Sequence, residues 1–241
     1  MKCRIVFWSL CFCIPVILMV SVAVWRINHG GGWKGRMAFQ QLELPKELDS
    51  RSAEPRELEV IRQLGPKGVS VLEEALRSDV RHDRFKAAWA LSRLGPVSSN
   101  AVPALVRAVD DPDASVAYYA IRTLTALKVS DADLVPRLVT KLGGKNAAVS
   151  VAAGDLLTSI EADRSAKNLP PAFDDEAKYV TAFLVSPSVR IQLMGIDRTV
   201  ALPEADESVM TALKQLLTNQ NQVVQRRAAA AFAQQEALSR K

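Results

Sequence analysis

Beyond Cys13 the sequence contains no cysteine; all three, Cys3, Cys11 and Cys13, lie within the first 26 residues. From Arg26 to Lys241 this excludes a disulfide framework, a thiolate metal site and a cysteine nucleophile. Histidine is almost as scarce: His29 and His82 have no second ligand at metal spacing, and no His-Glu pair exists. Aromatic residues make up 6% of a chain that is 49% hydrophobic, so the core must come from aliphatic side chains and alanine. That composition favours closely packed helices over a sheet. The glycines of "HGGGWKG" precede neither a strand pattern nor a Lys-Ser/Thr pair, which leaves a phosphate loop unsupported. Asp174-Asp175-Glu176 is the densest acid cluster, and a solvated loop or helix start accounts for it. The sequence therefore predicts no enzyme activity, no catalytic residue, no metal site and no cofactor.

Long apolar runs are also missing, with one exception. Ile5 to Trp25 carries no charge over 21 residues. As a helix it would span about 31 Å, matching a hydrocarbon core of about 30 Å. Trp8 and Trp25 flank the run as interfacial anchors do. Residues 1–26 are thus expected to be a single-pass transmembrane anchor, contacting the membrane through residues 5–25. A cleaved signal peptide ending near Ser21-Val22-Ala23 is the alternative. The short basic head before the run, Lys2 and Arg4, resembles an export signal. It places the C-terminal domain outside the cytoplasm, secreted or periplasmic if cleavage occurs. Residues 27–51 read as a flexible juxtamembrane linker.

The net charge of +5 is not spread along the chain. Three of its 31 basic residues (Lys2, Arg4, Arg26) precede residue 27 without an accompanying acid, and the remaining 28 face 26 acidic residues. Residues 129–218 carry 9 basic and 12 acidic side chains, so no continuous basic stripe exists to follow a phosphate backbone. This argues against nucleic acid as the partner. Arg226-Arg227 is explained by the polar outer face that a terminal repeat needs.

What the chain has instead is a repeat. In "DDPDASVAYYAIRTLTAL" the apolar positions Val116, Ala120, Leu124 and Leu127 form one stripe of a helix. Thirty-three residues earlier the same slots hold Asp83, Ala87, Leu91 and Leu94, and 33 later Val149, Ala153, Leu157 and Ile160. A further 40 gives Val189, Leu193, Asp197 and Val200, and another 35 gives Val224, Ala228, Phe232 and Gln235. An atypical first copy runs through Ala53, Glu57, Ile61 and Leu64. Between these lie shorter helices opened by Val102-Pro103 and Val135-Pro136, with proline where its missing N–H costs nothing. The unit is a helix pair of about 33 residues. Such a pair cannot bury its stripe alone, so neighbouring pairs must stack. The seven extra residues of the longest spacing fall in Glu161–Ala177, an expected exposed loop.

"DDPDASVAYYAIRTLTAL" and "FKAAWALSRLG" resemble HEAT repeats, in particular the short bacterial HEAT-like type, over residues 52–238. The resemblance implies an all-α fold: an α-solenoid of about five to six helix pairs over residues 52–241, preceded by one N-terminal hydrophobic helix. It also implies an Asp–Arg ladder between repeats, here incomplete, since Arg84 and Arg190 have Ala117 and Ser150 between them. Second helices in such repeats line a concave surface. On it Lys86, Trp89, Arg93, Tyr119 and Arg122 are expected to form one aromatic–basic protein-binding patch, of the residue types enriched at hot spots. The reading is a non-enzymatic, membrane-anchored scaffold or adaptor for a protein or peptide. A nucleic-acid-binding HEAT-like protein, or a HEAT-like lyase or its accessory, is the alternative.

Overall fold

A computed structural model describes residues 33–44, 54–171, 173 and 175–240. Among these the chain forms helices and no strand. In order they are α1 (33–41), α2 (Arg56–Gln63), α3 (Pro66–Ala75), α4 (Arg81–Leu94), α5 (Val102–Ala108), α6 (Ala114–Ala126), α7 (Val135–Leu142), α8 (Ala147–Ala166), α9 (Glu176–Leu184), α10 (Val189–Ala201), α11 (Glu207–Leu216) and α12 (Gln222–Ser239). Each odd-numbered helix from α3 onward packs on the even one that follows it. The even helices stack in a row, α4 on α6, α6 on α8, α8 on α10 and α10 on α12. Contact between sequence neighbours alone, propagated along the chain, is the organisation of a helical-repeat solenoid.

Local chemistry sets the boundaries. Asp113, Asn146, Asp175, Asp206 and Asn221 each cap a helix by accepting from backbone N–H groups of its first turn. Gly65 and Gly95, at φ +54° and +59°, make the left-handed turns before Pro66 and Pro96 that no β-carbon would allow cheaply. Val116, Ala120 and Leu124 are fully buried, as are Ala87 and Leu91 in α4 and Ala153 and Ile160 in α8.

The true register is a count from the helix start. The third, seventh and eleventh residues face the core: Val116, Ala120 and Leu124 in α6, and Val224, Ala228 and Phe232 in α12. In α10 these are Ile191, Gly195 and Thr199, so the expected stripe of Val189, Leu193, Asp197 and Val200 is displaced by two residues. Val189 and Val200 are in fact 40% and 43% exposed. The cap at Ser188 starts α10 directly at Val189, whereas two residues precede Val116 in α6, and so the repeat spacing here is 42. Gly195 allows the tight seam this produces: a β-carbon there would sit 2.8 Å from Phe183 Cβ. In α2 the buried pair is Leu58 and Ile61, and Glu57 points away.

Two further expectations change. Part of the supposed linker is helix: α1 buries Ala38 and Phe39, with Leu42 just beyond it, against the first repeats. The apolar residues that follow Trp33 are spaced to cover one helix face, and the neighbouring glycine run obscured this. The exposed loop is shorter than Glu161–Ala177, because α8 continues to Ala166. Phe173 returns from that loop to stack on Tyr179, with centroids 4.0 Å apart and planes 11° apart. Tyr179 donates to Glu161, which also receives Arg198 at 2.7 Å, tying α8, α9 and α10 together. The anchor or signal at residues 1–26 lies outside the described residues. Among the described ones no helix is long and apolar enough to cross a membrane.

The ladder between repeats exists, but not at Arg190. Its rungs are the fourth residues of the even helices. Arg84 donates to the Ser78 carbonyl of its own turn at 3.1 Å and reaches Asp111 of the next turn at 2.8 Å. Ser150 donates to the Leu142 carbonyl at 2.8 Å and shares a hydrogen bond with the Ser186 hydroxyl at 2.6 Å. Gln192 donates to the Ser186 carbonyl at 2.8 Å and accepts from Asn219 at 3.2 Å. Each turn partner (Asp111, Ser186, Asn219) also accepts the backbone N–H two residues on. The missing rung is Ala117, opposite Gly144. Arg190 instead pairs backwards with Asp155 at 2.7 Å.

Candidate functional site

The five residues expected to form one surface patch are divided by the structure. Trp89 is 4% exposed and belongs to the hydrophobic core. An indole at a helix flank folds down onto the apolar seam, whereas arginine at the same count in the next repeat, Arg122, can carry its charge to water. Lys86 is 6% exposed and its Nζ lies 4.8 Å from the centre of the Phe39 ring on α1. Burial pushes that amine below the ordinary lysine range, against the opposing pull of Asp83 and Glu43. Arg93 sits 3.3 Å from Glu54, at ion-pair distance but outside hydrogen-bond geometry. Lys86 therefore faces α1 and α3, while Tyr119 and Arg122 belong elsewhere.

The part that survives as a surface is the groove between α6 and α8. Arg122 is exposed; its Nη1 donates to Tyr118 Oη at 3.1 Å and its guanidinium lies 5.7 Å from that ring's centre. The hydrogen bond it donates to Tyr118 holds the Arg122 pKa above its ordinary value. Tyr119 stands edge-on to Tyr118, with centroids 5.2 Å apart, and its other side meets Phe85 at 5.8 Å. Burial raises the Tyr119 phenol, keeping it a neutral donor. The two adjacent tyrosines thus divide their work: Tyr119 leans on the core and Tyr118 orders Arg122. Next to them a cavity of about 490 Å³ opens over Thr125, Val151, Ala152 and Asp155. Asp155 is already engaged by Arg190. Among the described residues no carboxylate lies within ion-pair distance of Arg122. The groove therefore offers an apolar floor, a phenol, one ordered cation and an acid, Asp155, whose charge is taken up by Arg190.

Tyr118, Val151, Ala152 and Asp155 were not among the expected site residues. A signal for them was present, since Arg122 and Asp155 stand 33 residues apart at the ninth position of successive even helices. Side chains at equal counts on stacked helices are neighbours.

No family model and no curated protein matches the sequence. Among solved structures, the chain is similar to an engineered protein at 19% identity and TM-score 0.44, covering 86% of this chain and 89% of that one. It is similar to a designed armadillo repeat protein in complex with the peptide (KR)4 at 17% identity and TM-score 0.47, covering 82% and 98%. A second designed armadillo repeat protein aligns at 16% identity and TM-score 0.44, over 82% and 98%. The description of the chain as an all-α helical-repeat protein rests on its own helix order and stacking.

Proposed function

We propose that this chain is a non-enzymatic HEAT-like scaffold that binds a protein or peptide segment along its row of even-numbered helices, the concave face of such a stack. The groove between α6 and α8 is the anchoring point. A segment with acidic character fits it: Arg122 receives a carboxylate, Tyr118 holds the guanidinium in place, and Val151 and Ala152 accept an apolar neighbour. The observation that carries this reading is an exposed arginine fixed by a neighbouring phenol beside a cavity of about 490 Å³, whose one lining acid, Asp155, is paired with Arg190. In the same proposal residues 5–25 tether the module to a membrane, with the repeats outside the cytoplasm.

The test is capture of defined peptides. Acidic and basic peptide pools are compared for binding to the wild type and to Tyr118→Ala/Arg122→Ala. The acidic pool should bind, and the double variant should lose 2 kcal/mol or more, about thirtyfold, with an unchanged melting temperature. Equal binding by the variant would remove the groove from the function. For the tether, a reporter joined after Lys241 should be active only outside the cytoplasm; activity inside would reverse the assigned orientation.

A further inference from the structure

A second cavity lies at the N-terminal end of the described stack, and the peptide reading makes no use of it. It measures about 780 Å³, is open to one side, and is bordered by α1, α3 and the first turns of α4. Phe39, Val71 and Ala75 supply apolar wall, and Arg36, Arg77 and His82 stand around the mouth. Its volume falls in the range of sites that hold small organic molecules, roughly 300–1,000 Å³.

Lys86 is the feature of this cavity that needs an explanation. It lines the space and is 6% exposed. A buried ammonium is costly unless something compensates it. Among the described residues its only close partner is the face of Phe39, 4.8 Å away. Neither acid in the lining pairs with Lys86: Glu74 lies 3.9 Å from Arg36, and Asp83 accepts from Ser78 Oγ at 3.3 Å. Asp83 and the more distant Glu43 act on Lys86 through the field alone, without an ion pair. The cavity thus has apolar walls, a basic mouth and a buried cation lacking its anion.

We propose that this cavity is a binding site for a carboxylate carried on an apolar body, with Lys86 Nζ pairing with the carboxylate and Phe39, Val71 and Ala75 holding the apolar part. A single negative charge suits the site better than a phosphate dianion. One buried cation stands here against apolar walls, and one ammonium balances one negative charge. The carboxylate could belong to a small organic acid or to the glutamate side chain of a peptide. The assignment is independent of the α6–α8 groove.

The test uses the full-length protein in non-ionic detergent and two probes. One is 4-phenylbutyrate, with its amide as control; the other is a short terminally blocked peptide with a glutamate between two leucines, with glutamine as control. At least one carboxylate probe should bind and shift the Lys86 Nζ resonance, and its neutral control should not. Lys86→Met should weaken that probe at least tenfold without lowering the melting temperature, and Arg122→Ala should leave it unchanged. Which probe binds identifies the source of the acid. Binding by neither carboxylate, equal binding of the neutral controls, or no loss in Lys86→Met overturns the site. Loss in Arg122→Ala with none in Lys86→Met places the acid in the other groove, which overturns this site and leaves the peptide reading standing.

Discussion

In α6 the positions that face the core hold Val116, Ala120, Leu124 and Leu127, and in α4 the last three of them hold Ala87, Leu91 and Leu94. In α10 and α12 the same counts include Gly195, Thr199 and Gln235, all buried, within or beside a second, smaller apolar cluster. The front of the molecule is filled by hydrocarbon. The back is held partly by hydrogen bonds: Gln235 donates to the Thr199 and Leu202 carbonyls at 2.8 and 3.2 Å and accepts from the Ala205 N–H at 2.9 Å. The ladder changes in the same direction, from the ion pair Arg84–Asp111 through Ser150–Ser186 to Gln192–Asn219. One backbone geometry accepts all three because each rung needs only a donor toward its own turn and a partner on the next. The lesson is that repeat position fixes where a bond is made and leaves its chemistry open.

The largest effect that sharpens this contrast is at the front. Trp89→Ala should cost about 3–5 kcal/mol by opening a cavity in the hydrocarbon-filled half, read as a lower denaturation midpoint. A change under about 1 kcal/mol would mean the indole is a surface group after all, and would restore it to the binding patch. At the back, Gln235→Leu should cost roughly 1–3 kcal/mol although it adds an apolar side chain to a buried slot, because two carbonyls and one N–H lose their partner. A neutral or stabilising result would erase the distinction between the halves. The smallest effect concerns the rungs. In double-mutant cycles the coupling of Arg84 with Asp111 should shrink as salt rises from about 0.05 to 1 M, and that of Gln192 with Asn219 should stay constant. Equal salt dependence would show that the charge of the front rung is incidental.

How much of this was legible in the sequence depends on what a residue had to signal. The alanines at 87, 120, 153 and 228 announced both the period and the close approach of helices, since only a small side chain at a fixed spacing does so. The α10 register escaped because valine at 189 matched the pattern while the cap at Ser188 set the count. α1 escaped because a glycine run beside it outweighed its short apolar face. Of the expected patch, Arg122 lies exposed beside the α6–α8 groove and Trp89 is buried. Residue type alone cannot tell an aromatic side chain folded over a seam from one offered to a partner. Lys86 was recognised as notable for the wrong reason: the sequence showed a cation on a helix flank, not the Phe39 ring that α1 lays across it.

The absent rung at Ala117 and Gly144 makes the stack mechanically uneven. Elsewhere a polar bond bridges successive turns, and such a bond resists sliding until it breaks within a fraction of an ångström. Where α6 meets α8 no such bond exists at that position and Ala117 is 2% exposed; the polar bridge between these repeats is made instead by Asp110, which pairs with Arg137 and Lys141 of α7 at 2.9 and 3.3 Å. Nonpolar surfaces yield gradually under shear, so at the level of the rungs a load on this joint is resisted by packing, and its polar resistance lies with the Asp110 pairs. It is the joint whose opposite edge carries Tyr118, Arg122 and Asp155. A load along the chain would therefore reach that groove through Asp110 and its partners on α7 rather than through a rung.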